Sequence, residues 1–125
     1  MAKFQRILLI EDDRLISELY LRALRNNGYT VDEAITGPDG LKKATTGQYD
    51  LVLLDIMIPD MTGIEVLQKL RSGAANGLPQ TKIIVTTNLD QDEKSRASVE
   101  SMADGYLIKA DVTPRKLVEL ISQVE

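Results

Sequence analysis

Cysteine is absent from the 125 residues, and so is histidine. Without cysteine there are no disulfides, no thiol redox chemistry and no thiolate nucleophile. Without histidine there is no Ser-His-Asp triad, no Cys/His zinc site and no imidazole general base. Basic residues are in deficit, with 15 Lys and Arg against 19 Asp and Glu, a net charge of −4. That balance argues against direct nucleic-acid binding, which needs a basic patch to neutralise phosphates. Long apolar runs are missing too. The stretch Ile7-Leu8-Leu9-Ile10 has four residues and runs into Glu11-Asp12-Asp13, too short for a secretory core or a membrane span. The expectation is a cytoplasmic protein with no membrane insertion. What remains for chemistry is carboxylates, lysine, hydroxyls and the backbone.

The rest of the composition is that of an ordinary globular chain, 43% hydrophobic and 27% charged. Its length predicts a single domain, residues 1–125, long enough to fold without covalent staples. Four short apolar runs stand out: Ile7–Ile10, Leu51–Leu54, Ile83–Val85 and Tyr106–Ile108. None alternates with period two, as expected of strands buried on both faces. A weaker run, Tyr29-Thr30-Val31, follows the Asn27-Gly28 stop signal.

Helical patterns lie between the runs. Residues 14–26 set Ile16, Leu19, Tyr20, Ala23 and Leu24 on one stripe. Residues 38–46 turn Leu41 and Ala44 inward, and residues 63–71 carry Ile64, Val66, Leu67 and Leu70. Residues 90–102 are mostly polar, with Val99, Met102 and Ala103 as anchors. Thr113-Pro114 reads as N-cap and first helical residue, followed by Leu117, Leu120, Ile121 and Val124 at helical spacing. Gly37-Pro38 and Ser72-Gly73 mark loops. Five strand–helix units in succession predict an α/β fold: a five-stranded parallel sheet, order 2-1-3-4-5, flanked by five helices in a flavodoxin-like, doubly wound arrangement.

In an open parallel sheet, ligands bind beyond the carboxyl ends of the strands. Glu11, Asp12 and Asp13 follow the first strand, Asp55 the third, Thr86 and Thr87 the fourth, and Lys109 the fifth. Several carboxylates at one edge repel one another and call for a hard cation, and few ligands with open positions favour Mg²⁺. A neighbouring lysine and hydroxyl suit the oxygens of a phosphoryl group. A carboxylate can itself be the nucleophile. Taken alone, Asp13 reads as a helix N-cap, Asp60 as a turn residue, Thr86 as a strand end, Tyr106 as a half-buried core aromatic and Lys109 as a surface lysine.

The motifs taken together resemble the receiver domain of two-component response regulators, close to the stand-alone chemotaxis type, over roughly residues 5–124. They are Leu9-Ile10-Glu11-Asp12-Asp13, Asp55 through Gly63, Val85-Thr86, and Gly105-Tyr106-Leu107-Ile108-Lys109. The resemblance implies that Asp55 is the phosphoacceptor. It implies that Glu11, Asp12, Asp55 and the backbone carbonyl of Met57 hold Mg²⁺, for which Mn²⁺ can substitute. Thr86 is then the switch hydroxyl, Lys109 the lysine that pairs with the phosphoryl group, and Tyr106 the aromatic switch residue. The implied donor is a sensor histidine kinase or phosphotransfer protein. The implied output surface is the fourth helix, fifth strand and fifth helix, acting on a downstream protein target. Such a chain is a phosphoacceptor rather than an enzyme, assisting only its own phosphorylation and dephosphorylation.

Two positions depart from the family pattern. Ala110 follows Lys109 where proline is usual, and Thr87 stands where a smaller alanine is usual. The Lys109–Ala110 peptide is expected to be trans, since a cis bond before a non-proline residue costs about 3–4 kcal/mol. The alternative reading is a receiver-like interaction module that signals without phosphorylation. An Asp-nucleophile phosphatase would carry a D-x-D motif after the first strand, which Glu11-Asp12-Asp13 does not fit. A flavodoxin-like cofactor binder would need a phosphate-cradling loop there, where three carboxylates would repel the phosphate.

Overall fold

A computed structural model describes residues 6–46, 49–56, 63–72, 81–87, 102–108 and 113–124. Five strands, β1 (Arg6–Ile10), β2 (Thr30–Ala34), β3 (Leu51–Asp55), β4 (Lys82–Thr87) and β5 (Gly105–Ile108), form one parallel sheet in the order β2-β1-β3-β4-β5. Among the described residues there are four helices: α1 (Arg14–Asn26), α2 (Gly37–Thr46), α3 (Gly63–Ser72) and α4 (Pro114–Val124). The fifth helix, expected over residues 90–102, lies outside the described residues apart from Met102. The expected flank of five helices is thus met by four in the described chain. No helix among the described residues is long and apolar enough to cross a membrane.

The apolar runs form strands because both sides of the sheet are covered. Alternate residues feed two separate cores. Leu8, Ile10, Val52, Leu54, Ile83 and Val85 pack with Val66, Leu67 and Leu70 of α3 and Ala44 of α2. Ile7, Leu9, Leu51, Leu53 and Ile84 pack with Tyr20, Leu21 and Leu24 of α1 and Leu117 and Ile121 of α4. In β1, β3 and β4 neither face meets water beyond the first residue, so no polar alternation survives in those runs.

Local signals set the helix ends. The Asp13 carboxylate accepts from Leu15 N at 3.0 Å and Ile16 N at 3.1 Å, capping α1. At the other end Gly28, with φ of 94°, lets Gly28 N reach Arg25 O and Tyr29 N reach Leu24 O, a Schellman closure. Thr113 caps α4 through Lys116 N at 3.1 Å, and Pro114 opens the helix as expected.

Three expectations are corrected. In α1 the buried residues are Ser17, Tyr20, Leu21 and Leu24, while Leu19 is exposed. The inward stripe runs i, i+3, i+4, i+7 from Ser17, and a serine at its head hides it from a hydrophobicity count. Gly37-Pro38 is the first turn of α2, not a loop. The Thr36 hydroxyl accepts from Asp39 N at 3.1 Å, and proline is tolerated where no backbone donor is required. The second strand runs on through Asp32 and Glu33 to Ala34, because an edge strand accommodates charged side chains.

The amino ends of the strands are closed by complementary charges. Arg71, from the last turn of α3, donates through Nε to Met102 O at 2.7 Å and through Nη1 to Thr81 O at 3.0 Å, and pairs through Nη2 with Asp104. Asp104 in turn accepts from Ile83 N at 2.8 Å. Across the sheet the Tyr49 hydroxyl donates to Asp32 at 2.7 Å, and the Arg6 guanidinium lies over the Tyr49 ring and 3.4 Å from Asp32. Burial, then the bond to the Asp32 carboxylate, pushes the Tyr49 phenol up to about 12.

Candidate functional site

The carboxyl ends of the strands are built differently. β1 is flanked by β2 on one side and β3 on the other. Consecutive crossovers leave in opposite directions there, which opens the crevice where doubly wound folds bind ligands. Glu11 and Asp12 follow β1 directly, and Asp55 is the last residue of β3. One carboxylate oxygen from each of the three lies within 4.8 Å of the others. Among the described residues no other three potential metal ligands converge in this way. Glu11 and Asp55 are buried, 1% and 2% exposed, whereas Asp12 is open to solvent.

Backbone geometry holds these groups in place. Glu11 N donates to Ala34 O at 3.0 Å, extending the β1–β2 ladder by one residue. Its Oε2 accepts from Asp13 N at 3.1 Å, so the start of α1 orients the glutamate while the Asp13 side chain caps the helix. Asp13 is therefore the helix N-cap expected of it. Asp55 stands in register with Thr86 of β4, and Ile56 N donates to Thr86 O at 3.0 Å. Asp55, Thr86 and Thr87 lie inside their strands rather than after them, since the ladder continues through the charged and hydroxyl residues. Thr86 and Thr87 are buried at 3% and 0% exposure.

Tyr106 pairs with Val85, one residue before Thr86 in register, and is partly buried against the core on the α2–α3 face. The carboxyl ends of β1, β3 and β4 thus contribute to one edge, and the structure brings together Glu11, Asp12, Asp55 and Thr86. Met57 and Lys109 lie outside the described residues, as does the Lys109–Ala110 peptide. Sequence reasoning did not single out the Asp13 N–H as the group that orients Glu11. The signal was present in an aspartate two residues past a buried glutamate at a helix start.

The donor set fits a hard divalent cation. It is all carboxylate oxygen and closely spaced, and its one exposed member leaves positions open for water or a phosphoryl oxygen. Fold and site together define a doubly wound α/β domain with an acidic, cation-ready pocket at the strand ends. The response regulator receiver domain family matches residues 7–122, and the chain belongs to that family, the signalling domain of two-component response regulators. The chain is 39% identical over 119 residues to the transcriptional regulatory protein DltR of Streptococcus agalactiae, covering 95% of this chain and 50% of that protein. It is 37% identical to CusR of Escherichia coli over 95% of this chain and 49% of that protein. The chain therefore spans about half the length of these curated relatives. Among solved structures, a CheY-like receiver domain from Methanospirillum hungatei superposes with a TM-score of 0.85 at 36% identity, covering 97% of this chain and 93% of that one. TrrA of Thermotoga maritima, solved in complex with Mg²⁺-BeF, gives 0.81 at 34% identity over 97% and 99% of the two chains.

Proposed function

We propose that the chain takes a phosphoryl group on Asp55 and relays a two-component signal to a protein partner. The carrying observation is the convergence of the Glu11, Asp12 and Asp55 carboxylates within 4.8 Å, with Thr86 in register beside Asp55. The Asp55 carboxylate attacks phosphorus in line, the bond from phosphorus to the donor's leaving atom breaks, and that atom departs with the electron pair. The product is an acyl phosphate at the end of β3. Glu11, Asp12 and Asp55, with the Met57 carbonyl that the family resemblance adds, would hold Mg²⁺. When bound, the ion supplies charge neutralisation for the phosphoryl oxygens.

Burial of Glu11 and Asp55 keeps competing water from the acceptor and strengthens every charge interaction at the site. The Thr86 hydroxyl closes on the new phosphoryl oxygens as a hydrogen-bond donor, and Lys109 pairs with their charge. Phosphorylation then shifts a pre-existing equilibrium between two arrangements of β4 and β5, read out through Tyr106. The donor is the phosphohistidine of a sensor kinase or phosphotransfer protein. Likeness to a relative solved with Mg²⁺-BeF supports both the ion and the phosphoryl chemistry.

Acetyl phosphate or phosphoramidate with Mg²⁺ should add one phosphoryl group to the intact protein by mass spectrometry. Asp55→Asn or EDTA should abolish the addition. Labelling that persists in Asp55→Asn would overturn the assignment, and absence of labelling in the wild type would favour the phosphorylation-independent interaction module.

A further inference from the structure

β2 is an edge strand, with β1 on one side and, among the described residues, no strand on the other. In a parallel ladder the N–H and C=O of one residue point the same way, and successive residues alternate. Ala34 O accepts from Glu11 N on the β1 side, so Thr30, Asp32 and Ala34 face the sheet. Val31 and Glu33 face outward. Both of their carbonyls are occupied. Arg25 of α1 donates through Nη2 to Val31 O at 2.8 Å, and Lys43 of α2 donates through Nζ to Glu33 O at 2.6 Å. The two cations come from helices on opposite faces of the sheet and meet at its rim. Lys43 is held further by Asp39 at 3.4 Å, and the Glu33 carboxylate accepts from the Ser17 hydroxyl at 2.7 Å.

An open edge is a template for another strand, and lysine at an edge is a known deterrent. Here the deterrence is more specific than charge, because the acceptors an incoming strand would need are already taken. The strand beneath is otherwise well suited to pairing. It begins Thr30-Val31, its neighbour Ile35 is 46% exposed, and the Asp32 charge is shared with Arg6 and Tyr49. A two-fold antiparallel pairing centred on Asp32 would set the outward residues Val31 and Glu33 against each other, as hydrogen-bonded pairs require.

We propose that Arg25 and Lys43 are guards of the β2 edge, and that without them β2 pairs with β2 of a second copy of this chain. The test is sedimentation velocity of wild type and the Arg25→Met/Lys43→Met double variant across a concentration series. Methionine keeps the apolar stem and removes the donor. With two acceptors freed, the double variant should dimerise about tenfold more tightly than wild type, or better. Adding Glu33→Pro should return it to wild-type behaviour, since proline deletes an outward N–H and leaves the inward ladder to β1 intact. A folded double variant that associates no more than wild type would overturn the proposal, as would association that ignores Glu33→Pro. If the double variant does not fold, Lys43→Met alone frees the Glu33 carbonyl. Association must then rise in that single variant, with amide-exchange protection appearing at Val31 and Glu33, or the proposal fails.

Discussion

The two ends of this sheet obey opposite electrostatic rules. At the amino ends, charges of opposite sign meet: Arg71 with Asp104, Lys82 with Asp104, and Arg6 with Asp32. Hydrogen bonds to Thr81 O, Met102 O and Ile83 N complete the arrangement. At the carboxyl ends three carboxylates of the same sign are drawn within 4.8 Å, two of them buried. The strands are shared, so the backbone is equally regular at both ends. The difference lies in what each end is for. One end spends polar groups on holding α3, β4 and β5 together, and the other gathers three carboxylates into a set that suits a hard cation.

The largest expected effect is at the paired end. Arg71→Met removes the donor to two carbonyls and the partner of a half-buried carboxylate, and should destabilise by about 2–3 kcal/mol. A thermal melt should show a Tm drop on the order of 8 °C. A change near zero would mean that water replaces the arginine without cost, and the two ends would then differ less than their geometry implies.

Gly40→Ala probes the packing that underlies the site end. A Cβ at Gly40 would lie 2.5 Å from Ile10 Cδ1 and 2.7 Å from Ile10 Cγ1, on a side chain that is fully buried at the end of β1. The cost should be roughly 1–3 kcal/mol by denaturant titration. Because Ile10 directly precedes Glu11, the variant should also weaken binding of Mg²⁺.

Asp55→Asn should move stability the other way. Like charges about 4 Å apart repel by roughly 1 kcal/mol in water and about 4 at an effective dielectric near 20. Removing one charge at constant shape should stabilise the Mg²⁺-free protein by about 1–2 kcal/mol. Millimolar Mg²⁺ should raise the wild-type Tm by mass action and the variant's by less. A variant that melts below wild type in EDTA would show that the three carboxylates do not repel one another.

Tyr49→Phe should have the smallest effect, about 1 kcal/mol, from loss of the bond to Asp32. It carries a pH signature. The folded-state pKa is raised to about 12 from 10.0, so the folded protein holds this proton more tightly than the unfolded chain. The resulting stability is fully present below pH 10 and is lost as pH rises towards 12. Wild type should lose stability over that window and Tyr49→Phe should not, as read by urea titrations at several pH values.

Much of this molecule is legible one segment at a time. Continuous apolar runs such as Leu51–Leu54 announce strands covered on both faces. Asp13 and Thr113 announce helix starts through their own side chains. The acidic residues beyond β1 and at the end of β3 become a site as soon as the sheet is known to be parallel, because parallel strands bring all their carboxyl ends to one edge. These features follow from local chemistry and from the few topologies that right-handed crossovers permit.

Packing decided the rest. The sequence of α1 offers several apolar residues at helical spacing, and only docking onto the sheet turns Ser17 and Leu21 inward and leaves Leu19 in solvent. Periodicity defines which residues share a stripe, while the angle at which the stripe meets the sheet depends on the neighbouring side chains. The bond between Arg71 and Asp104 joins residues 33 apart, and the Lys43 donation to Glu33 O crosses from a helix to a strand edge. No local pattern marks either pair, because a charged side chain on a helix surface looks the same whether it faces water or a carbonyl. Chain order alone brings acidic residues to one edge of the sheet. That their oxygens approach within 4.8 Å, close enough to share one cation, was decided by the register of β1 and β3, a property of hydrogen bonds between segments distant in the chain.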